Sequence, residues 1–136
     1  MKFKTLLTIN AILAFASGTA CILMPAQLLA QYNVALPPMG LVIYQFWGAA
    51  LIGLGLLTWF ARSIMDLALQ RKFALALFIT NGLSVVMAVR GQFAGANSSG
   101  WSTVVLFLIL TIGYGVFLFT IPTALNMPNR HREEKP

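Results

Sequence analysis

The sequence predicts an all-α integral membrane protein that folds as an antiparallel four-helix bundle with both termini in the cytoplasm. Three observations support this prediction. The 136 residues are 59% hydrophobic and only 9% charged, a composition well outside that of soluble domains. Four long apolar stretches follow one another along the chain. The basic residues gather in the segments on one side of these stretches, as in multi-pass proteins.

Each apolar stretch is long enough to cross a bilayer as a helix, because about 20 residues at about 1.5 Å per residue span the hydrocarbon core. No acidic residue lies in any of them. The four stretches leave almost no chain for a soluble domain, so we expect a single domain over residues 1–136. The predicted spans are residues 6–23, 39–60, 73–89 and 101–125.

The distribution of positive charge predicts the orientation, since Lys and Arg are retained on the cytoplasmic side. Only Arg90 borders the opposite side. We therefore expect a multi-pass protein of the inner (plasma) membrane, and we interpret the net charge of +6 as this topology signal rather than as a nucleic-acid site. The other eight basic residues share one side: Lys2, Lys4, Arg62, Arg71, Lys72, Arg130, Arg132 and Lys135.

The first 21 residues could be a cleaved signal or a retained span. Lipoprotein cleavage favours a large aliphatic residue three positions before the cysteine, where this chain has Gly18 before Cys21. The apolar run also continues through residues 22–24, beyond the usual core of a signal peptide. We expect a retained span in which Cys21 is a small buried apolar side chain. A single cysteine can form no internal disulfide.

Two connecting segments have the mixed composition of helices that lie in the membrane interface. One is PAQLLAQYNV after the first span, where Pro25 suits the first helical position. The other is ARSIMDLALQRK between the second and third spans.

Small residues predict which helix faces meet, because helices in lipid associate where their backbones can approach closely. Each predicted span carries a pair or stripe of such residues. The same glycines could instead form a mobile or cavity-lining segment, and we favour packing. The predicted packing set is Gly18, Gly48, Gly53, Gly55 and Gly115.

Polar residues inside spans are costly and often mark function. We favour a structural interpretation, in which they form hydrogen bonds between helices that contribute about 0.6 kcal/mol each. The alternative is a polar substrate pocket between the helices. Its predicted wall consists of Gln45, Asn81, Arg90 and Tyr114.

The sequence lacks the residue patterns of common membrane chemistry. No carboxylate lies in a span, which disfavours a proton relay. The one histidine, His131, lies in the charged C-terminal tail, so a pair of intramembrane imidazoles for haem or zinc is absent. We identify no catalytic residue, metal ligand or cofactor site, and we do not expect a conventional enzyme.

The order of a basic N-terminus, GTACILMP, a short YNV loop and WGAALIGLGLLTWFAR resembles small four-span proteins of bacterial inner membranes. It is more loosely similar to the DoxX-like group. The resemblance covers roughly residues 1–90 and rests on glycines, a proline and hydropathy. It implies a four-helix fold, and no functional residue is carried over from it.

Two classes of function follow from these observations. The first is an accessory or structural subunit, whose apolar faces contact the lipid bilayer and other membrane protein subunits or copies of itself. The second is a small carrier, channel or lipid-binding protein with a polar intramembrane pocket. Nucleic acid is not an expected partner in either class.

Overall fold

The computed structural model describes residues 3–120. Within this range the only regular secondary structure is helix, without strands, which confirms the predicted all-α class. Lys2, residues 121–125 of the predicted fourth span and the tail with His131 lie outside the described residues. The helices are α1 (Phe3–Leu23), α2 (Pro25–Ala30), α3 (Pro38–Ala61), α4 (Leu67–Phe93) and α5 (Gly100–Thr120).

Four of these helices, α1, α3, α4 and α5, are long and apolar enough to cross a membrane. The four predicted spans thus correspond to four helices in the described part of the chain, and the protein has the architecture of a multi-pass membrane protein.

The two connecting segments predicted to be interfacial helices differ in outcome. Pro25 begins α2 at its first position, as predicted. The second segment does not form a separate helix, because residues 67–72 are the first turns of α4. The carboxylate of Asp66 accepts a hydrogen bond from the Ala68 backbone N–H at 3.0 Å, and this cap starts α4 well before Phe73, where the apolar stretch begins.

The helices pair as two antiparallel hairpins. In the first hairpin α1 packs against α3, and in the second α4 packs against α5. The contacts run in opposite chain directions in each pair, which establishes the antiparallel arrangement. Three close approaches between α1 and α3 define the first pair, namely Gly18 with Gly48, Phe15 with Gly55, and Thr8 with Arg62.

The hairpins meet along a seam between α1 and α5. The rings of Phe3 and Phe117 stack with centroids 5.0 Å apart, beside the fully buried Tyr114. At the far end of the seam the Tyr32 and Thr103 hydroxyls lie 2.9 Å apart. Although α3 and α4 follow one another along the chain, they make little contact. The described residues therefore form two hairpins joined through α1 and α5.

Candidate functional site

The glycines predicted to mark packing faces have different environments. Gly18 and Gly48 lie where α1 crosses α3, and a Cβ on Gly48 would approach the Cys21 Cβ to 2.8 Å. A Cβ on Gly55 would lie 3.3 Å from the Phe15 ring, and one on Gly115 would lie 3.2 Å from the Phe78 ring. These positions allow close approach within each hairpin.

Gly53 is a correction to the predicted packing set. A Cβ at this position would meet no described atom within 4 Å, so Gly53 has no neighbour in the fold of the described residues. The sequence analysis also missed Gly113, where a Cβ would approach Leu6 Cδ2 to 2.8 Å. Gly113 allows α5 to approach α1 at the seam between the hairpins.

The four residues predicted to line a polar pocket do not come together. The Gln45 amide donates to the Ile22 carbonyl at 3.0 Å, near the C-terminal end of α1. The Tyr114 hydroxyl lies 3.5 Å from the Leu6 carbonyl, near the beginning of α1. Leu6 and Ile22 are about 24 Å apart along a helix that rises 1.5 Å per residue. Gln45 and Tyr114 therefore cannot line one pocket.

Asn81 and Arg90 also lie outside any pocket shared with Gln45. The buried Asn81 amide donates to the Leu77 carbonyl of its own helix at 2.7 Å. Arg90 is exposed in the last turn of α4, where its positive charge interacts favourably with the negative end of the helix dipole. Neither side chain faces a described cavity shared with Gln45.

Asn10 is a buried polar residue that the predicted pocket did not include. Its side chain is 5% exposed, and its Nδ2 has no hydrogen-bond partner among the described residues. It follows Leu6 by one helical turn on the face of α1 that contributes to the seam with α5. A buried amide without a partner costs free energy, and no sequence pattern distinguishes it from a bonded one.

A groove of about 320 Å³ opens on the outside of the first hairpin. The Gln45 side chain that bonds to α1 is its one polar side chain, so the groove is almost wholly apolar. This apolar lining suits a hydrocarbon chain better than a polar solute. Its lining residues are Ile22, Val42, Gln45, Phe46 and Ala49.

At the opposite end of the same hairpin, Arg62 contacts both an aromatic ring and polar groups. Its guanidinium carbon lies 3.3 Å from the centre of the Trp59 ring, and its Nη1 donates to the Thr8 hydroxyl at 3.4 Å. From the sequence, Arg62 was predicted to be a topology signal and part of an interfacial segment, without a specific contact. The spacing of Trp59 and Arg62, three residues apart on a helix, was the available indication that they would contact one another.

Metal chemistry has no obvious centre in the described part of the chain, since no three His, Cys, Asp or Glu side chains cluster within residues 3–120. Comparison of the chain with protein-family models, with curated proteins and with solved structures gives no match. The functional argument therefore depends on the helix faces and side chains described above.

Proposed function

We propose that this chain is a non-catalytic structural or accessory subunit of a membrane assembly, which docks through α3 against another membrane protein or a second copy of itself. The observation that carries the proposal is a stripe along α3, exposed except at the half-buried Gly53, with alternating spacings of four and three residues. This spacing is typical of helices that pack side by side at a shallow angle. The α3 stripe comprises Met39, Ile43, Phe46, Ala50, Gly53, Leu57 and Phe60.

The centre and the ends of the α3 stripe differ in size. Phe46 and Phe60 are 71% and 67% exposed, whereas Ala50 and Gly53 provide small surfaces between them. A glycine within a helix costs about 1 kcal/mol relative to alanine, and Gly53 recovers none of this through contacts with the described residues. A partner helix that crosses at Ala50 and Gly53 would use that space, because close approach is the main source of stability between helices in lipid.

The test is association of the full-length protein in mild detergent and in lipid nanodiscs. Copies labelled with donor and acceptor dyes, together with size-exclusion mass measurement after purification from membranes, report self-association and retained partners. We expect a complex that Gly53→Leu disrupts while the melting temperature of the isolated chain is preserved. Leu83→Ala is the matched control, because Leu83 is exposed on α4. A monomer without partners in wild type, or an assembly unaffected by Gly53→Leu, would contradict the proposal.

A second candidate function is lipid binding or transport, which the apolar groove beside Gln45 favours. The groove lies at the contact of α1 and α3 and is open to the surrounding hydrocarbon. In this case the purified protein would be solitary and would retain lipid. Ala49→Phe, which fills the groove, would then release the lipid, whereas the α3 stripe variant Gly53→Leu would not.

A further inference from the structure

The Arg62 side chain makes three contacts where α3 ends. Its guanidinium stacks over the Trp59 ring, its Nε donates to the Trp59 carbonyl at 3.0 Å, and its Nη1 donates to the Thr8 hydroxyl of α1. The stacking fixes the plane of the guanidinium, and the two hydrogen bonds fix its rotation. Arg62 therefore has little conformational entropy left to lose when it binds a ligand.

The charge of Arg62 is not neutralised by these contacts. A carbonyl, a hydroxyl and an aromatic ring are all uncharged, and Arg62 has no carboxylate partner within residues 3–120. The Asp66 carboxylate accepts from the Ala68 backbone at the start of α4. Of the five N–H donors of a guanidinium, two are used here, so three remain for an additional acceptor.

A second cation lies on the same edge of the first hairpin. The Thr8 hydroxyl that accepts from Arg62 also donates to the Lys4 carbonyl at 2.8 Å, which places Lys4 one turn away on α1. The Lys4 side chain is exposed. Exposed aromatic surface lies beside Arg62, since the Trp59 ring that its guanidinium covers is 41% exposed. Cations beside exposed aromatic rings are typical of the membrane interface.

We propose that Arg62, with Lys4 beside it, binds the phosphate of an anionic phospholipid headgroup at this membrane surface. A planar guanidinium fork matches two phosphate oxygens, and such charge-assisted pairs are among the stronger hydrogen bonds. The exposed part of Trp59 contacts an acyl chain of the same lipid. A zwitterionic lipid offers the same phosphate, but its ammonium group is repelled by Lys4 and Arg62. The site therefore prefers phosphatidylglycerol to phosphatidylcholine.

This headgroup site goes beyond the proposed docking function and does not depend on it. The Arg62 site lies at the α1 start and the α3 end, whereas the α3 stripe follows the outer face of α3. Loss of either property leaves the other intact, so the Gly53→Leu and Arg62→Gln variants separate them.

The test is native mass spectrometry of the full-length protein in detergent, titrated with phosphatidylglycerol or phosphatidylcholine of identical acyl chains. We expect wild type to retain phosphatidylglycerol at least about fivefold more tightly. Arg62→Gln should remove most of this preference, and Arg62→Lys should restore only part of it, because lysine keeps the charge but loses the planar fork. Arg90→Gln is the matched control, since Arg90 is an exposed arginine at the other end of the helices.

Inorganic phosphate distinguishes a lipid site from a site for the free ion. We expect millimolar phosphate to displace little phosphatidylglycerol, because the ion lacks the acyl chain that contacts Trp59. Equal binding of the two lipids by wild type would overturn the proposal even if a variant failed to fold. Unchanged lipid binding in helical Arg62→Gln, or tight binding of phosphate alone, would also overturn it.

Discussion

Gly18 of α1 and Gly48 of α3 lie so close together that neither position has room for a side chain. A Cβ on Gly18 would lie 2.7 Å from the Gly48 carbonyl oxygen, and a Cβ on Gly48 would lie 2.8 Å from the Gly18 carbonyl oxygen. Both obstacles are backbone atoms, which cannot rotate away as a flexible side chain can. The separation of α1 and α3 is therefore set at this crossing, and the side-chain contacts on either side of it depend on that separation.

We predict that Gly48→Leu destabilises the first hairpin more than Gly55→Leu. The first substitution forces two backbones apart, at a cost of roughly 1–3 kcal/mol for overpacking. The second meets the Phe15 ring at 3.3 Å and the Ala11 carbonyl oxygen at 3.4 Å, which are longer distances than the 2.8 Å approach at Gly48. Thermal unfolding in detergent should give a larger drop in melting temperature for Gly48→Leu, with Val105→Leu, at an exposed position of α5, unchanged. Equal stability of Gly48→Leu and wild type would contradict this prediction.

The sequence predicted the four long helices because each of them is a continuous apolar run of the length that a bilayer-crossing helix needs. It missed the first turns of α4, where polar Gln70 to Lys72 interrupt the hydropathy although the Asp66 cap has already started the helix. It also could not distinguish Gly53 from Gly55. Both carry the same small-residue signal, but only the helix pairing decides which of them faces α1.

The residues predicted to line one polar pocket do not lie together, for a different physical reason. Asn81 satisfies its amide within its own helix, and Gln45 bonds to a backbone carbonyl of α1. Each amide is hydrogen-bonded to a nearby backbone carbonyl, so these polar side chains need not lie at the same depth or contact one another. The seam between α1 and α5 was likewise not predictable, because periodicity marks a packing face without naming its partner.

Replacement of Asn10 by leucine should stabilise the protein. The Asn10 Nδ2 is buried without a described partner, and removing an unsatisfied buried polar group recovers roughly 1–3 kcal/mol, while leucine keeps the branched outline of the side chain. The melting temperature in detergent should rise by several degrees. Asn81→Leu is the matched control, because it removes an amide that is hydrogen-bonded and should bring no gain. A lower melting temperature for Asn10→Leu would mean that its amide has a partner in the assembled protein.

The hydroxyl pair Tyr32 and Thr103 should couple the two hairpins. In a double-mutant cycle with Tyr32→Phe and Thr103→Val we expect an interaction free energy of about 0.5–1.5 kcal/mol, the usual net value of a hydrogen bond. Chemical unfolding in detergent measures each corner of the cycle. Tyr32→Phe combined with Ser102→Ala is the control cycle, because Ser102 donates to the Ser99 carbonyl in its own segment. Strictly additive effects of Tyr32→Phe and Thr103→Val would exclude an energetic link at this position.

The basic residues predict that the connection between α3 and α4 lies in the cytoplasm and the connection between α4 and α5 lies outside. Met65 is 94% exposed in the first connection, and Ser98 is exposed in the second, so a cysteine at either position can react with a maleimide. In a Cys21→Ala background, Ser98→Cys should be labelled by a membrane-impermeant maleimide while the plasma membrane is intact. Met65→Cys should be labelled only after the membrane is opened, because positively charged connections are retained inside.

The Met65 connection and the start of α1 share one end of the hairpin, as the contact of Thr8 with Arg62 requires. The labelling pattern therefore also reports the side of the N-terminus, and the reverse pattern would place the Arg62 headgroup site on the outer leaflet.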